Sequence, residues 1–269
     1  MMTLKKALFT PLLAVWAMLA AYGASIQAEE METKHFDVKG FTQVSLKGNS
    51  HLELIQGDSF TVVAAGPTST MPYVKVEVKG RTLELSVDEN TQNWLGFVTI
   101  SRGQGQEVNF TVTMPKIDAL RVTGSGEARS ASIESESLDL AVTGSGTIDV
   151  DKVASENLKA YITGSGDLFL EKALAVSGEV AVTGSGDMNI GNITGESLSA
   201  EIKGSGDMVV GGRVATVNIR VMGSGDFSGR SLRADSASGS VMGSGDIVLK
   251  RPGSDSFSVV GSGDIALVD

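Results

Sequence analysis

The chain has 269 residues, of which 32 are acidic and 22 basic, giving a formal net charge of −10. It contains 33 glycines, no cysteine and only 5% aromatic residues. An acidic chain repels phosphate backbones, which argues against nucleic-acid binding. The lack of cysteine excludes both disulfides and a lipid anchor on a cysteine.

The first 28 residues have the pattern of a secretory signal peptide. Lys5 and Lys6 precede an apolar run from Ala7 to about Ala21, and small residues follow up to Ala28. This run is short for a membrane-spanning helix, and no second hydrophobic segment follows it. We therefore expect cleavage after Ala28 and export of a mature chain with a formal charge of −12 and no transmembrane segment. An uncleaved N-terminal anchor is the alternative.

Residues 29–120 are predicted to form a β-rich N-terminal part. Between residues 74 and 87, valine and leucine alternate with mostly polar residues, and Lys79-Gly80-Arg81 supplies a turn. This alternation is typical of a hairpin with one buried face. The stretch LKGNSHLEL, residues 46–54, resembles a degenerate first copy of the repeat that follows. No linker separates the two regions, so we expect one continuous domain.

Residues 121–269 are dominated by a repeat that contains Gly-Ser-Gly, followed by Asp in most copies. The triplets are separated by steps of 20, 20, 20, 20, 19, 20 and 18 residues, and they begin at Gly124, Gly144, Gly164, Gly184, Gly204, Gly223, Gly243 and Gly261. A period of this length is typical of solenoids. The sequence therefore predicts an all-β fold, a parallel β-helix or β-solenoid with coils of about 20 residues, whose equivalent side chains form rows along the axis.

The two glycines of each triplet share the parity of the apolar residues around them, as in Val180, Val182, Gly184, Gly186 and Met188. Successive side chains of a strand point to opposite faces, so we expect both glycines to face inward. The apolar residue two positions before each triplet is also predicted to face inward, and these residues form the row Val122, Val142, Ile162, Val182, Ile202, Val221, Val241 and Val259. Inward glycines allow a close approach of another wall or a sharp bend of the backbone. The triplets are thus predicted to be stacked corners or narrow waists.

The position after each triplet is predicted to form an outward row of aspartates. Glu127 and Thr147 occupy its first two levels, and the row continues with Asp167, Asp187, Asp207, Asp226, Asp246 and Asp264. Carboxylates about 4.8 Å apart repel by about 0.9 kcal/mol per pair in bulk water. Either turn amides donate hydrogen bonds to them, or divalent cations such as Ca²⁺ lie between the coils. The nine-residue repeat of calcium-binding β-rolls has a different spacing, which argues against calcium.

The position before each triplet becomes apolar toward the C-terminus. Threonine occupies it in four copies and Lys203 in the fifth, and Met222, Met242 and Val260 follow. The chain also stops at Asp269 without a polar capping segment, and an uncapped coil offers unpaired backbone groups to other chains. We therefore predict a homo-oligomer that buries Met222, Met242 and Val260. The alternative is that a few exposed methionines are ordinary.

The repeated GSGDL, GSGDM and GSGDI stretches, together with residues 44–58 and GRTLELSV at residues 80–87, resemble the head GIN domain family of auto-transporter adhesins. The resemblance covers nearly the whole mature chain. It implies a pectin-lyase-like β-helical fold without catalytic residues and a role in cell adhesion. It also admits trimers with the GSGD repeats near their centre.

The residue types needed for catalysis do not form a recognisable pattern. The two histidines are His35 and His51, and neither a nucleophile elbow, a phosphate-binding loop nor zinc-ligand spacing occurs. A β-helical polysaccharide lyase or hydrolase would need clustered carboxylates with a basic residue, and Lys203 alone precedes a triplet directly.

We therefore predict an exported, non-enzymatic β-solenoid protein without a cofactor, acting in adhesion or cell-envelope binding on a glycan or other cell-surface ligand. The alternatives are a periplasmic scaffolding or binding protein and, less favoured, a polysaccharide-active enzyme. The pattern is compatible with a periplasmic, surface-exposed or secreted location.

Overall fold

The computed structural model describes residues 30–88, 91–94, 98–101 and 107–269. The predicted signal peptide lies outside the described residues. Met31–Asp269 forms one compact unit built almost wholly of β-strands. Among the described residues the one helical segment is a 3₁₀ turn at Met71–Tyr73. No helix in these ranges has the length and apolar character needed to cross a membrane.

Nine strands of the described residues belong to the N-terminal part. They are β1 Met31–Phe36, β2 Gln43–Gly48, β3 His51–Gln56, β4 Thr61–Pro67, β5 Val74–Lys79, β6 Thr82–Val87, β7 Thr91–Trp94, β8 Val98–Ser101 and β9 Asn109–Met114. The repeats supply the other strands. They are β10 Ala119–Gly124, β11 Glu127–Ser130, β12 Ile133–Gly144, β13 Thr147–Gly164, β14 Asp167–Gly184, β15 Met188–Gly204, β16 Met208–Gly223, β17 Phe227–Gly243, β18 Ile247–Lys250, β19 Ser254–Gly261 and β20 Ile265–Val268.

The repeats form the predicted parallel β-solenoid. Each coil pairs in parallel with the next, and the partners in β13 and β14 differ by 20 residues, as in Thr147 with Asp167 and Gly164 with Gly184. The alternation of buried and exposed residues in β14 is interrupted by the exposed pairs Glu171-Lys172 and Val176-Ser177. Together with the glycine corner, these interruptions divide a coil into three short faces. All-β architecture and the 20-residue coil are thus confirmed.

Two coils depart from the 20-residue period, and the departures are local. The pairing of β15 with β16 shifts between Ile190 and Ile193, where Gly212 has a φ of +119°. A side chain at Gly212 would collide with the backbone carbonyl of Ile193. Glycine at this position therefore allows the coil to be one residue shorter than its neighbours. In the last coil, three residues, 251–253, join β18 to β19.

The N-terminal part continues the same ladder. Strand β2 pairs in parallel with β10, with Gly48 opposite Gly124, and β3 pairs in parallel with β11. Residues 46–54 are therefore a first copy of the repeat, as predicted. The hairpin is also confirmed, since β5 and β6 are antiparallel with Lys79 opposite Thr82. Strand β6 pairs in parallel with β2, and β9 pairs in parallel with β3. Strand β4 pairs antiparallel with both β1 and β9 at this end of the ladder.

The core is one continuous cluster of buried apolar side chains inside the coils. The predicted inward row is at most 1% exposed over seven levels, Val122, Val142, Ile162, Val182, Ile202, Val221 and Val241. Each such side chain contributes about 1.5–3 kcal/mol relative to an exposed position. The eighth member is an exception to the prediction. Val259 is 42% exposed, because in the described residues β19 has a parallel partner, β17, on one side only.

Candidate functional site

The glycine corners stack with little space between coils. The amide of Ser185 donates a 2.8 Å hydrogen bond to the carbonyl of Gly164, and Gly184 has a φ of +125°. A Cβ on Gly184 would collide with that same carbonyl, and one on Gly186 with the carbonyl of Gly166. The expectation that both glycines face inward is thus corrected for Gly184, which is only half-buried. Glycine is required because neighbouring coils lie close along the axis.

The predicted aspartate row exists, and it forms a hydrogen-bonded ladder. From Asp187 onward, the amide of each aspartate donates to Oδ1 of the aspartate in the preceding coil, at 2.9 Å from Asp207 to Asp187 and 2.7 Å from Asp264 to Asp246. The same bond joins Asp187 to Asp167, Asp226 to Asp207 and Asp246 to Asp226. The contacts favour the amide interpretation of the row. Within the described ranges, no group of three or more His, Asp or Glu residues is placed to hold a metal ion.

The three candidate oligomer-contact residues also form a row. Met222 lies opposite Met242, and Met242 lies opposite Val260, in neighbouring coils. Met242 is 57% exposed and Val260 is 66% exposed, whereas Met222 is half-buried. These side chains make one apolar outward stripe that crosses three coils.

A groove of about 920 Å³ runs along the solenoid at a different corner. Its lining repeats with the coil period, at residues 134–136, 154–156, 174–176 and 194–196, and it begins at Gln56, Pro115 and Lys116. The Gln56 side chain fixes this beginning. Its Oε1 accepts a 2.7 Å hydrogen bond from the amide of Glu134, and its Nε2 donates a 2.8 Å bond to the carbonyl of Glu134. At the first level of the groove, the side-chain amide of Gln56 thus makes the pair of hydrogen bonds that the backbone of a neighbouring strand would otherwise make.

The centre of the groove is apolar. Leu174 is 60% exposed and Val176 is 50% exposed, and Ala154 also lines the groove. Large apolar side chains on a soluble surface are unremarkable singly, but two of them inside a groove mark a candidate binding surface. We call the set Leu174, Val176 and the surrounding lining residues the axial groove.

The rim of the axial groove is acidic. It carries Glu134, Glu136, Glu156 and Glu196, and none of the four takes part in an ion pair with another described residue. The bases at the two ends are already paired. Lys116 Nζ lies 3.2 Å from Asp118 Oδ1, and Arg213, which follows Thr194 in the next coil, lies 3.1 Å from Asp235. The groove therefore presents negative charge around an apolar centre.

Sequence reasoning missed the axial groove, although a signal was present. When the repeats are aligned by 20 residues, position 176 carries valine where positions 136, 156 and 196 carry glutamate. Position 174 likewise carries leucine next to alanine and threonine in the neighbouring copies. An apolar residue in an otherwise acidic outward column indicates a local surface feature.

The histidines do not form a catalytic arrangement with the groove. His51 Nε2 lies 2.8 Å from Glu107 Oε2, and its Nδ1 lies 3.3 Å from Glu127 Oε2. Glu127 also pairs with Arg129. These contacts form a polar surface cluster on β3 and β11, whereas the residues that line the groove come from other corners of the coils.

Comparisons with known proteins identify relatives of this fold. The family model described as "Putative auto-transporter adhesin, head GIN domain" matches residues 40–174 and 172–268. A "putative adhesin" from Parabacteroides distasonis is 20% identical with a TM-score of 0.76, and the match covers 90% of this chain and 98% of that chain. A "putative adhesin" from Parabacteroides merdae is 17% identical with a TM-score of 0.76, covering 89% and 97%.

A "putative lipid binding protein" from Parabacteroides distasonis is 20% identical with a TM-score of 0.63, covering 89% of this chain and 97% of that chain. At these identities the likeness to solved structures shows the fold alone. Among curated proteins, no match is found. The family and two of these three structures are named as adhesins, not as enzymes.

Proposed function

The chain belongs to the family described as "Putative auto-transporter adhesin, head GIN domain", and on that premise we propose that it is an exported, non-enzymatic adhesion protein of the cell envelope. Residues 1–28 direct its export and are removed after Ala28. The mature solenoid binds its partner through an outward surface of the coils.

The observation that carries this proposal is the axial groove. Sites for small substrates enclose most of the ligand in a concave pocket. The axial groove instead lies open along successive coils and exposes Leu174 and Val176 in its floor. An open, elongated surface of this kind fits a macromolecular partner better than a small substrate.

A periplasmic scaffolding or binding protein would use the same surface without reaching the cell exterior. One solved neighbour is named a "putative lipid binding protein", so a lipid partner is among the outcomes to be measured. The distinction between these roles concerns location and partner and does not change the fold.

The test combines location with adherence. Intact cells that produce the full chain are treated with protease, and cells without the gene are compared with complemented cells for attachment to surfaces coated with envelope extract or host matrix. We expect protease-accessible protein and reduced attachment in the deletion strain. Protection in intact cells with unchanged attachment would contradict adhesion and support the periplasmic role. Turnover of a polysaccharide by the purified residues 29–269 would contradict the non-enzymatic assignment.

A further inference from the structure

The axial groove combines an apolar centre with an unneutralised acidic rim. Glu156 lies one coil before Val176, and Glu196 lies one coil after it, in the same outward column. Coils are about 4.8 Å apart, so the two carboxyl positions are about 10 Å apart along the groove. Glu136 extends this acidic column by one more coil, and Glu134 lies at the same level in the neighbouring column of Ala154 and Leu174.

An occupant must therefore offer positive charge on both sides of an apolar group. Opposite charge within reach of the four glutamates would relieve their mutual repulsion, while an apolar side chain would cover Leu174 and Val176. An acidic or anionic occupant would meet carboxylates along the whole groove. A neutral lipid chain would leave the carboxylates without partners.

We propose that the axial groove binds an extended basic peptide segment in which an apolar side chain lies between lysine or arginine residues. This inference rests on the proposed function and names the chemical class of its partner. Side chains at every second position of an extended peptide recur about every 6.7 Å. The flexible stems of lysine and arginine accommodate the difference between this spacing and the coil spacing.

The geometry of the groove sets the length of the segment. The lining crosses five levels, from Lys116 to Thr194, so four coil steps span about 19 Å. An extended chain covers that distance in about six residues. Lys116 and Arg213 lie at the two ends of the axial groove, and each is already paired with an aspartate. Their positive charges disfavour a basic segment that extends beyond the groove.

The experiment measures binding of labelled nine-residue peptides to residues 29–269 by fluorescence anisotropy. The probe GKSKSLSKG places three lysines and one leucine on one face of an extended chain. Its controls are GESESLSEG, with the charges reversed, and GKSKSSSKG, without the apolar side chain. We expect the probe to bind at low ionic strength, to weaken with added salt, and to bind about threefold to tenfold more tightly than GKSKSSSKG. Binding of GESESLSEG should be undetectable.

Protein variants separate the groove from the general acidity of the chain. We expect Glu156→Gln with Glu196→Gln to weaken probe binding about threefold to tenfold, and Leu174→Ser with Val176→Ser to remove the preference for leucine. The matched control is Asp37→Asn with Asp255→Asn, which makes the same change in net charge at exposed residues that do not line the groove. Thermal melting confirms that each variant is folded, which is expected because Leu174 and Val176 are exposed.

Equal weakening by the groove and control variants would overturn the inference, as would equal binding of the three peptides. Stronger binding of phosphatidylcholine vesicles than of the probe, lost in the Leu174 and Val176 variant, would replace the peptide by a lipid. Attachment of cells that carry Glu156→Gln with Glu196→Gln keeps the two proposals apart. If these cells attach normally and the purified protein shows no specific binding of the probe, the peptide inference is contradicted. The proposed function in adhesion is not affected by that result.

Discussion

At the scale of single residues, the triplet glycines are set by two separate physical demands. Gly184 has a positive φ and also lies against the carbonyl of Gly164 in the preceding coil. Gly48, its equivalent in the first copy, has a φ of +96° but would have no heavy atom within 4 Å of an added Cβ. The pair therefore allows backbone strain to be measured apart from the close approach of the coils.

We expect Gly48→Ala to lower the free energy of unfolding by about 1–2 kcal/mol, the cost of a left-handed backbone for a residue with a Cβ. Gly184→Ala should cost about 1–3 kcal/mol more, because the new methyl group also forces neighbouring coils apart. Ser185→Ala, at an exposed position, should change stability by less than about 0.5 kcal/mol. Urea titrations of the three variants check this. Equal losses for Gly48→Ala and Gly184→Ala would show that coil contact contributes nothing.

At the scale of the repeated element, the sequence predicted the structural features that recur with a fixed period. The 20-residue step predicted the parallel coils, and the two-residue alternation predicted the hairpin of β5 and β6 and the row Val122 to Val241. It could not predict the axial groove. At Glu171-Lys172 and Val176-Ser177 two exposed residues follow each other, so parity no longer tells which side of the strand faces outward. The direction of Gly184 likewise depends on its φ, which alternation does not encode.

The aspartate ladder gives a prediction for this corner element. Asp207→Ala removes the acceptor of the 2.9 Å hydrogen bond from the amide of Asp226 and should cost about 0.5–1.5 kcal/mol. Asp207→Asn keeps an acceptor oxygen and should cost less, and Asp255→Ala is the exposed control outside the ladder. Because the carboxylates already accept amides, we expect the same melting temperature in millimolar Ca²⁺ and in chelator. A midpoint that rises with Ca²⁺, and does so less in Asp207→Asn, would establish a cation site.

At the scale of the whole molecule, each coil contacts mainly its neighbours, so one substitution per coil is enough to change the character of an entire outward column. The column before the triplets shows this clearly. It holds Thr163 and Thr183 in the middle of the solenoid, then Lys203, and then the apolar stripe Met222, Met242 and Val260. Surface and core thus vary independently along the same ladder.

The apolar stripe leads to a prediction about self-association. Met242 and Val260 expose more than half of their surface, and burying both against a second copy would stabilise an oligomer by removing apolar area from water. We expect light scattering of residues 29–269 at tens of micromolar to show a homo-oligomer, and Met222→Asp with Met242→Asp to convert it to a monomer. Thr163→Asp with Thr183→Asp is the matched control, because it adds the same charge to the same column two and three coils upstream of Met222. This control should leave the oligomer intact. A monomeric wild-type protein, or an oligomer that survives both Met substitutions, would exclude the stripe as a contact surface.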